Sequence, residues 1–374
     1  MNSETNRHPD LTNPFLPSPL VVISILNWNG WEDTLKCLES VRQLNYPNYL
    51  MVVADNGSKD GSPEKIKAWA KVNFGPGQAI ADYTREAALA GGIPETEKVL
   101  DEAGCPGRMV LIRNENNLGF TGGNNVTIHY ALTRSYAPGY VMLLNNDAKV
   151  LPDVLTKLVS AAQRSGAGIA GSMVMDVSGL RTEHPGFVSL WGVLFKPFAK
   201  LYTPYPDADA EFWEAPVANG AGMLISTKTL GDVFQLRSEY LNSSYFMYDD
   251  ELEFVFHARS LGYRTVVVPN ARVLHECRKS SNSTILAYYM YRNTICLSMI
   301  ALSPTWKAAF DALTLAALPI RLLKLVAAGR LELARAVYEG QRDGFLGVMG
   351  KWRRHDEVVR FGNQAWRLRA QQLQ

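Results

Sequence analysis

Through the first 150 residues, continuous apolar runs alternate with stretches of helical spacing. "LVVISILN" (20–27) is β-branched with no polar face, which predicts a strand covered on both sides. "WEDTLKCLESVRQL" (31–44) carries Trp31, Leu35, Leu38, Val41 and Leu44 on one helical face. "YLMVVADNGSKDGS" (49–62) predicts a second buried strand running into a polar loop, and "PEKIKAWAKVNF" a helix with Pro63 in its first turn. Residues 75–107 break this rhythm with "GPG", "AGGIPE" and "AGCPG" around short helical pieces, and read as an insertion making a surface excursion. There follow a strand "RMVLIR" (108–113), a Gly-rich loop "NENNLGFTGGNN" (114–125), a helix over 126–135 and a strand "YVMLLNND" (140–147). Strand and helix alternating in this way predict an α/β fold with a mostly parallel sheet and helices on both faces. Such sheets collect ligands at the carboxyl ends of their strands.

The second half is less regular. "VANGAGMLIS" (217–226) predicts a strand entered through a Gly turn. "YFMYDDELEFVFHARSLGYRTVVVP" (245–269) predicts an acidic helix start, a helix stopped at Gly262, and a strand. Residues 283–303 are expected to be helical, and the chain beyond 304 is helical, apolar and basic. One strand ending in Asn or Asp is an ordinary turn. Here Asn27, Asp55-Asn56, Asn114 to Asn117 and Asn145-Asn146-Asp147 all fall at strand exits, on one rim of one sheet. Independent turns have no reason to repeat that choice.

Composition narrows the function without naming it. The 374 residues are 47% hydrophobic and 20% charged, ordinary values for a globular enzyme. A net charge of +2 speaks against a nucleic-acid partner. Cys37, Cys105, Cys277 and Cys296 form no CxxC pair, so neither a zinc site nor a disulfide framework is expected, in keeping with a reducing, cytoplasmic setting. Residues 1–18 are polar and Pro-rich without the pattern of a signal peptide, and read as a disordered arm. No run of about 18 apolar residues predicts a membrane span. The basic, apolar segment 305–355 fits an interfacial helix at the inner face of a membrane, or a packing helix at a homodimer contact.

"SILNWNG", "VVADNGSKDGS", "NENNLGFTGGNN", "LLNNDAKV" and "YFMYDDELEFVFHARSLGYR" occur in this order across residues 20–300. Together they resemble glycosyltransferase family 2, in particular its rhamnosyltransferase-like branch. The resemblance implies a GT-A fold, Rossmann-like, with a nucleotide-sugar donor, a divalent cation (Mg²⁺ or Mn²⁺) and inversion at the anomeric carbon. It divides the chain into a donor-binding half over 19–150, an acceptor and catalytic half over 151–303, and a helical extension over 304–374.

By the same resemblance "NND" stands where the family has DxD. Only its last member is acidic, so Asp147 carries the metal role, with His275 as a late second ligand. Asp55 and Asn56, with Asn27, Asn29 and Asn146 on neighbouring exits, are expected to frame the donor. Asn117, Gly119 and Asn124 would line it from the Gly-rich loop, and Arg292, Arg278 and Lys279 would meet its diphosphate. Gly220, Gly222 and Glu253 are expected on the acceptor side. An inverting transfer needs one general base. The family motif is usually Glu-Asp with the second residue as base; the matching pair here is Asp250-Glu251, so Glu251 is the first choice and Asp250 the alternative. The donor is expected to be dTDP-rhamnose or a UDP-hexose. The acceptor is expected to be a saccharide, free or carried on a polyprenyl diphosphate, in surface polysaccharide synthesis. A nucleotidyltransferase also sets an Asp-bound metal on an α/β sheet, but "LNWNG" lacks its Gly-rich basic loop. A non-catalytic scaffold would have no need of Asp55, Asp147 and the acidic pair.

Overall fold

The computed structural model describes residues 18–74, 79–105, 107–179, 182–184, 210–276 and 283–356. The N-terminal arm, apart from its last residue, lies outside these, as do Cys277, Arg278 and Lys279 and the last part of the extension.

The sheet begins with β1 (Val21–Asn27), β2 (Tyr49–Asn56) and β4 (Arg108–Asn114), all parallel, and continues through β5 (Tyr140–Asn145) on the other side of β1. β10 (Gly222–Ser226) runs antiparallel between β5 and β7 (Ile169–Asp176). β11 (Thr265–His275) then runs parallel to β7, and its last residues pair antiparallel with β6 (Ala148–Val150); β8 (Thr182–His184) pairs with β7, and β9 (Trp213–Glu214) with β11. Every residue of β2 is buried, as its unbroken apolar pattern requires. Alternate residues feed two cores. Ile23, Ile25, Met51 and Val53 pack against α1 (Trp31–Arg42), α2 (Ser62–Phe74) and α6 (Val154–Ser165). Val22, Leu50 and Val52 pack against α5 (Gly119–Thr133), α7 (Thr227–Arg237) and α8 (Asp250–Ser260). Full burial of each such side chain stabilises by about 1.5–3 kcal/mol. This is the GT-A layout, with α9 (Ser283–Ala301) ending the catalytic half and a helical extension of α10 (Pro304–Ala327) and α11 (Leu331–Leu346).

Two segments differ from expectation. Residues 79–102 are not an excursion: β3 (Ala79–Thr84) adds a parallel edge strand beside β4, followed by α3 (Arg85–Leu89) and α4 (Pro94–Glu102). Ala79, Ala81 and Tyr83 alternate inward, a period-2 signal that two alanines make faint. Buried Glu97 of α4 pairs with buried Arg134 at 3.0 Å, fixing the segment to the end of α5. Residues 119–125 of the Gly-rich "loop" are in fact the first two turns of α5. Its glycines and asparagines are poor helix formers, but packing overrides propensity. A Cβ on Gly123 would lie 2.3 Å from Leu26 Cδ1, so only glycine lets the helix approach the sheet this closely.

α9 and α11 also cross closely. A Cβ at Gly340 would meet the Tyr288 carbonyl oxygen at 2.5 Å, and one at Gly344 the Arg292 carbonyl oxygen at 2.9 Å. α10 buries only Phe310 and leaves Trp306, Leu313, Leu315, Ile320, Leu323 and Val326 exposed. Among the described residues no helix is long and apolar enough to cross a membrane.

Candidate active site

Strand register sets the rim: Asn27 lies opposite Asp55, Leu26 opposite Asn145, and Asn56 opposite Asn114. The polar exits therefore line up at one edge, as expected. Asn27 is fully buried; its amide donates to Asp55 Oδ1 at 2.7 Å, and its Oδ1 accepts from Thr34 Oγ1 at 2.7 Å. Asp55 Oδ2 accepts from the Ser58 backbone N–H at 2.9 Å. Exposed Asn29, at φ 51°, accepts from the Lys59 N–H at 2.7 Å and so ties the two exit loops together. Asn146 donates to Thr34 Oγ1 at 3.0 Å. Thr34 and Ser58, absent from the sequence reading, knit these loops; only their nearness to Asn27 and "DNGS" hinted at it.

The two residues expected at a metal are brought together. β6 pairs with the end of β11 so that Ala148 faces His275, which sets Asp147 Oδ1 3.0 Å from His275 Nε2. Asn145 Nδ2 is 3.1 Å from the same nitrogen. One ring nitrogen thus meets a carboxylate oxygen and an amide NH₂ at once. The Asp147 oxygen and the His275 nitrogen are close enough to share one divalent cation, and Asn145, the first residue of "NND", adjoins this expected pair. Among the described residues no group of three or more His, Cys, Asp or Glu side chains converges to hold a metal, so the remaining ligands would come from the substrate or water.

The acidic cluster enters this region through a strained turn. Phe246 has φ 68° and ψ −53°, and the Met247 N–H donates to the Tyr245 carbonyl at 2.8 Å, a γ-turn of the rare positive-φ kind. Tyr248 and Asp249 follow at φ 65° and 58°. Such residues cost on the order of 1–3 kcal/mol each and persist only where surrounding contacts impose them. The turn delivers Asp250 and Glu251 to the start of α8. Asp250 is 1% exposed and its Oδ2 has no hydrogen-bond partner. Burial, then the charge of Glu251, push its carboxyl well above the usual range. Glu251 is half-buried and lies against the 219–222 turn: a Cβ on Gly220 would sit 3.5 Å from Glu251 Cβ. The next residue, Ala221, accepts from the Asn145 N–H at 3.4 Å. One short turn thus links the carboxylate of Glu251 to the Asn145–Asp147 corner.

Six expected contacts have other employment. Glu253 is 2% exposed and bound by both oxygens to Arg237 Nη1 at 2.7 and 2.6 Å, so it braces α8 and is neither an acceptor contact nor a spare base. Arg292 is fully buried and reaches no surface where a diphosphate sits; its guanidinium donates to the carbonyls of Tyr245 and Gly350. Asn124 accepts from Ser24 Oγ at 2.8 Å, fixing α5 to β1 beneath the rim. Gly119 stands at φ 75°, and a Cβ there would meet the Phe246 carbonyl oxygen at 2.3 Å, so glycine serves this close packing. The first free N–H groups of α5 are also taken: Phe120 donates to that carbonyl at 2.6 Å and Gly119 to Asn117 Oδ1 at 2.9 Å. Asn56, 1% exposed, is consumed between Asn114 and the Gly119 carbonyl. Gly222 serves packing inside the sheet, where a Cβ would lie 2.2 Å from Ser172 Oγ.

Residues 91–293 match the family model described as glycosyltransferase like family 2, and residues 21–87 that of glycosyl transferase family 2. The low-salt glycan biosynthesis hexosyltransferase Agl10 of Haloferax volcanii is 27% identical over 148 residues, 40% of this chain. The chain spans 45% of that relative's length. Among solved structures, the mannosyltransferase PcManGT from Pyrobaculum calidifontis, in complex with GDP-Man and Mn²⁺, is similar at 16% identity, covering 90% of this chain and 89% of its own, with a TM-score of 0.49. The S. aureus TarS fragment 1–349 with UDP-GlcNAc is similar at 14% identity over 78% of this chain and 69% of its own, with a TM-score of 0.45.

Proposed function

The chain belongs to glycosyltransferase family 2, and from that premise we propose that it is an inverting glycosyltransferase that moves a sugar from a nucleotide donor to a saccharide acceptor by single displacement. The observation that carries the reading is the link just described: Glu251 packs against Gly220, and the next residue, Ala221, accepts from the backbone of Asn145, whose side chain adjoins the Asp147–His275 pair. The acceptor hydroxyl oxygen attacks the anomeric carbon as the bond to the β-phosphate oxygen breaks. The hydroxyl proton passes to Glu251, and the electron pair leaves with the nucleoside diphosphate. A positioned base of this kind contributes about 10²–10⁴-fold in rate. Burial of Asp250 raises its pKa and so favours its neutral form beside Glu251. Asp147 and His275 would hold a divalent cation, which when bound would supply positive charge against the departing diphosphate. Asn27, Asn29, Asp55 and Asn146 shape the nucleotide side of the rim, and Gly220 leaves room beside Glu251 for the acceptor.

The donor is proposed to be dTDP-rhamnose, with a UDP-hexose second; the acceptor is a saccharide on a lipid carrier. The lipid reading is supported by the exposed apolar face of α10, which also bears Arg321 and Lys324. A groove of about 430 Å³ between α10 and α11, lined by Leu315, Leu318 and Phe345, extends that face. The extension would then lie on the inner surface of a membrane. A panel of dTDP- and UDP-sugars with Mg²⁺ or Mn²⁺, read by nucleoside diphosphate release and product mass, tests the proposal. Transfer of one sugar with inverted configuration is the expected result. A product with retained configuration, or nucleotidyl transfer from a sugar phosphate, would overturn it.

A further inference from the structure

The turn that presents Glu251 does not hold itself. Residues 245–249 carry three non-glycine positive φ angles within five positions. Their carbonyls converge on one side chain of α9. Asn293, fully buried, donates from Nδ2 to the carbonyls of Tyr248 at 2.7 Å, Met247 at 2.8 Å and Tyr245 at 3.3 Å. Its Oδ1 accepts from Arg292 Nε at 2.8 Å, which fixes which end of the amide faces the turn. Arg292 donates from Nη2 to the Tyr245 carbonyl at 2.6 Å and stacks over Tyr289 at 4.9 Å. Thr294 completes the set by donating from Oγ1 to Asp249 Oδ2 at 2.9 Å, immediately before the acidic pair. The C-terminal segment closes the other side: the Gly350 N–H donates to the Ser244 carbonyl at 2.6 Å, and Trp352 stacks on Tyr288 at 4.5 Å.

We infer that Asn293, with Arg292 and Thr294 beside it, positions the proton-accepting carboxylate of Glu251 by imposing the strained backbone of residues 245–249. The helical extension is then part of the catalytic apparatus as well as a surface. Three carbonyls pointing at one site repel each other unless a multiple donor stands between them, and an amide NH₂ held from behind by an arginine supplies it. The inference rests on Glu251 as the base, but its first test does not. Full-length Asn293→Asp keeps the shape and turns an acceptor toward the three carbonyls; Thr294→Val removes a single bond and leaves the packing intact. Hydrogen–deuterium exchange over residues 244–251 should speed up in both variants, with the β1 and β2 amides still protected. Kinetics with dTDP-rhamnose and UDP-glucose should then show kcat lowered by about 10–100-fold in Asn293→Asp, since a displacement near 1 Å costs about that much. Donor KM should be unchanged, and Thr294→Val should lie between this variant and wild type. Unchanged exchange over 244–251 in Thr294→Val, or wild-type kcat in a folded Asn293→Asp, would overturn the inference. If exchange rises while Glu251→Gln retains turnover, the clamp stands and the base assignment falls.

Discussion

Replacing His355 with phenylalanine tests whether the C-terminal segment is bound to the catalytic turn as tightly as its contacts imply. His355 is 1% exposed, with its ring 5.2 Å from Phe246, 5.8 Å from Trp28 and 5.9 Å from Tyr289. The Tyr289 hydroxyl lies 3.3 Å from Nδ1, and Nε2 has no hydrogen-bond partner. Burial, reinforced by Lys351 and opposed by Asp356, lowers its pKa to about 4 from the ordinary 6.5. The folded chain thus keeps this imidazole neutral where the unfolded chain has already taken a proton. Stability is therefore lost as pH falls below 6.5, and the loss is complete below about 4. At 1.36 kcal/mol per unit, the difference between pH 7 and pH 4.5 is about 2 kcal/mol. Urea unfolding of both proteins at several pH values measures it, because every other group is common to the two and cancels. The wild type should lose about 2 kcal/mol more than His355→Phe over this range. Parallel pH profiles would refute the reasoning, since His355 would then titrate normally and the segment would not be packed on the turn.

Three further outcomes follow. Glu251→Gln should lower kcat by about 10²–10⁴-fold with donor binding nearly unchanged, while Asp250→Asn should cost less in rate; above the ordinary Asp value of 3.8 it should be more stable than wild type, by a margin that widens with pH, because ionising buried Asp250 opposes folding there. A rate order reversed between the two shifts the base by one residue. Arg237→Ala should destabilise the fold by up to about 3–5 kcal/mol, since it leaves the buried Glu253 carboxylate without its arginine, held by Asn242 at 3.1 Å and beside His257, yet the folded fraction should turn over normally; a rate loss without a stability loss would return Glu253 to the site. Full-length protein should sediment with vesicles rich in anionic lipid, and Leu315→Glu combined with Leu323→Glu should abolish this; equal recovery of both proteins in the supernatant makes α10 a packing or dimer face instead.

The sheet and its rim were legible because both rest on simple periodicities: unbroken apolar runs for buried strands, and Asn or Asp at each exit. "NND" and His275 could be paired by resemblance, and β6 on β11 is what makes them neighbours. Misread positions share a cause. Asn56, Asn124, Arg292 and Glu253 are residue types that usually mark a surface site, yet each is spent on buried backbone or side-chain partners that only the tertiary fold supplies. Gly119 and Gly222 were taken as ligand clearance, whereas the close approach is by Phe246 and Ser172. Asn293 escaped notice because nothing local to "YYMYRN" reveals that three strained carbonyls, some 45 positions earlier, converge on it.

The most direct test is product formation by Asp147→Asn beside wild type, with Mn²⁺ supplied and then withdrawn by chelator, together with Mn²⁺ binding followed by electron paramagnetic resonance in the presence of UDP or dTDP. The account predicts a folded variant that has lost most of its turnover and its nucleotide-dependent Mn²⁺ signal. It also predicts a wild type silenced by chelator and restored by Mn²⁺ or Mg²⁺. Turnover by Asp147→Asn at the wild-type rate, or a wild type indifferent to chelator, would contradict it and leave Asn145-Asn146-Asp147 as a turn.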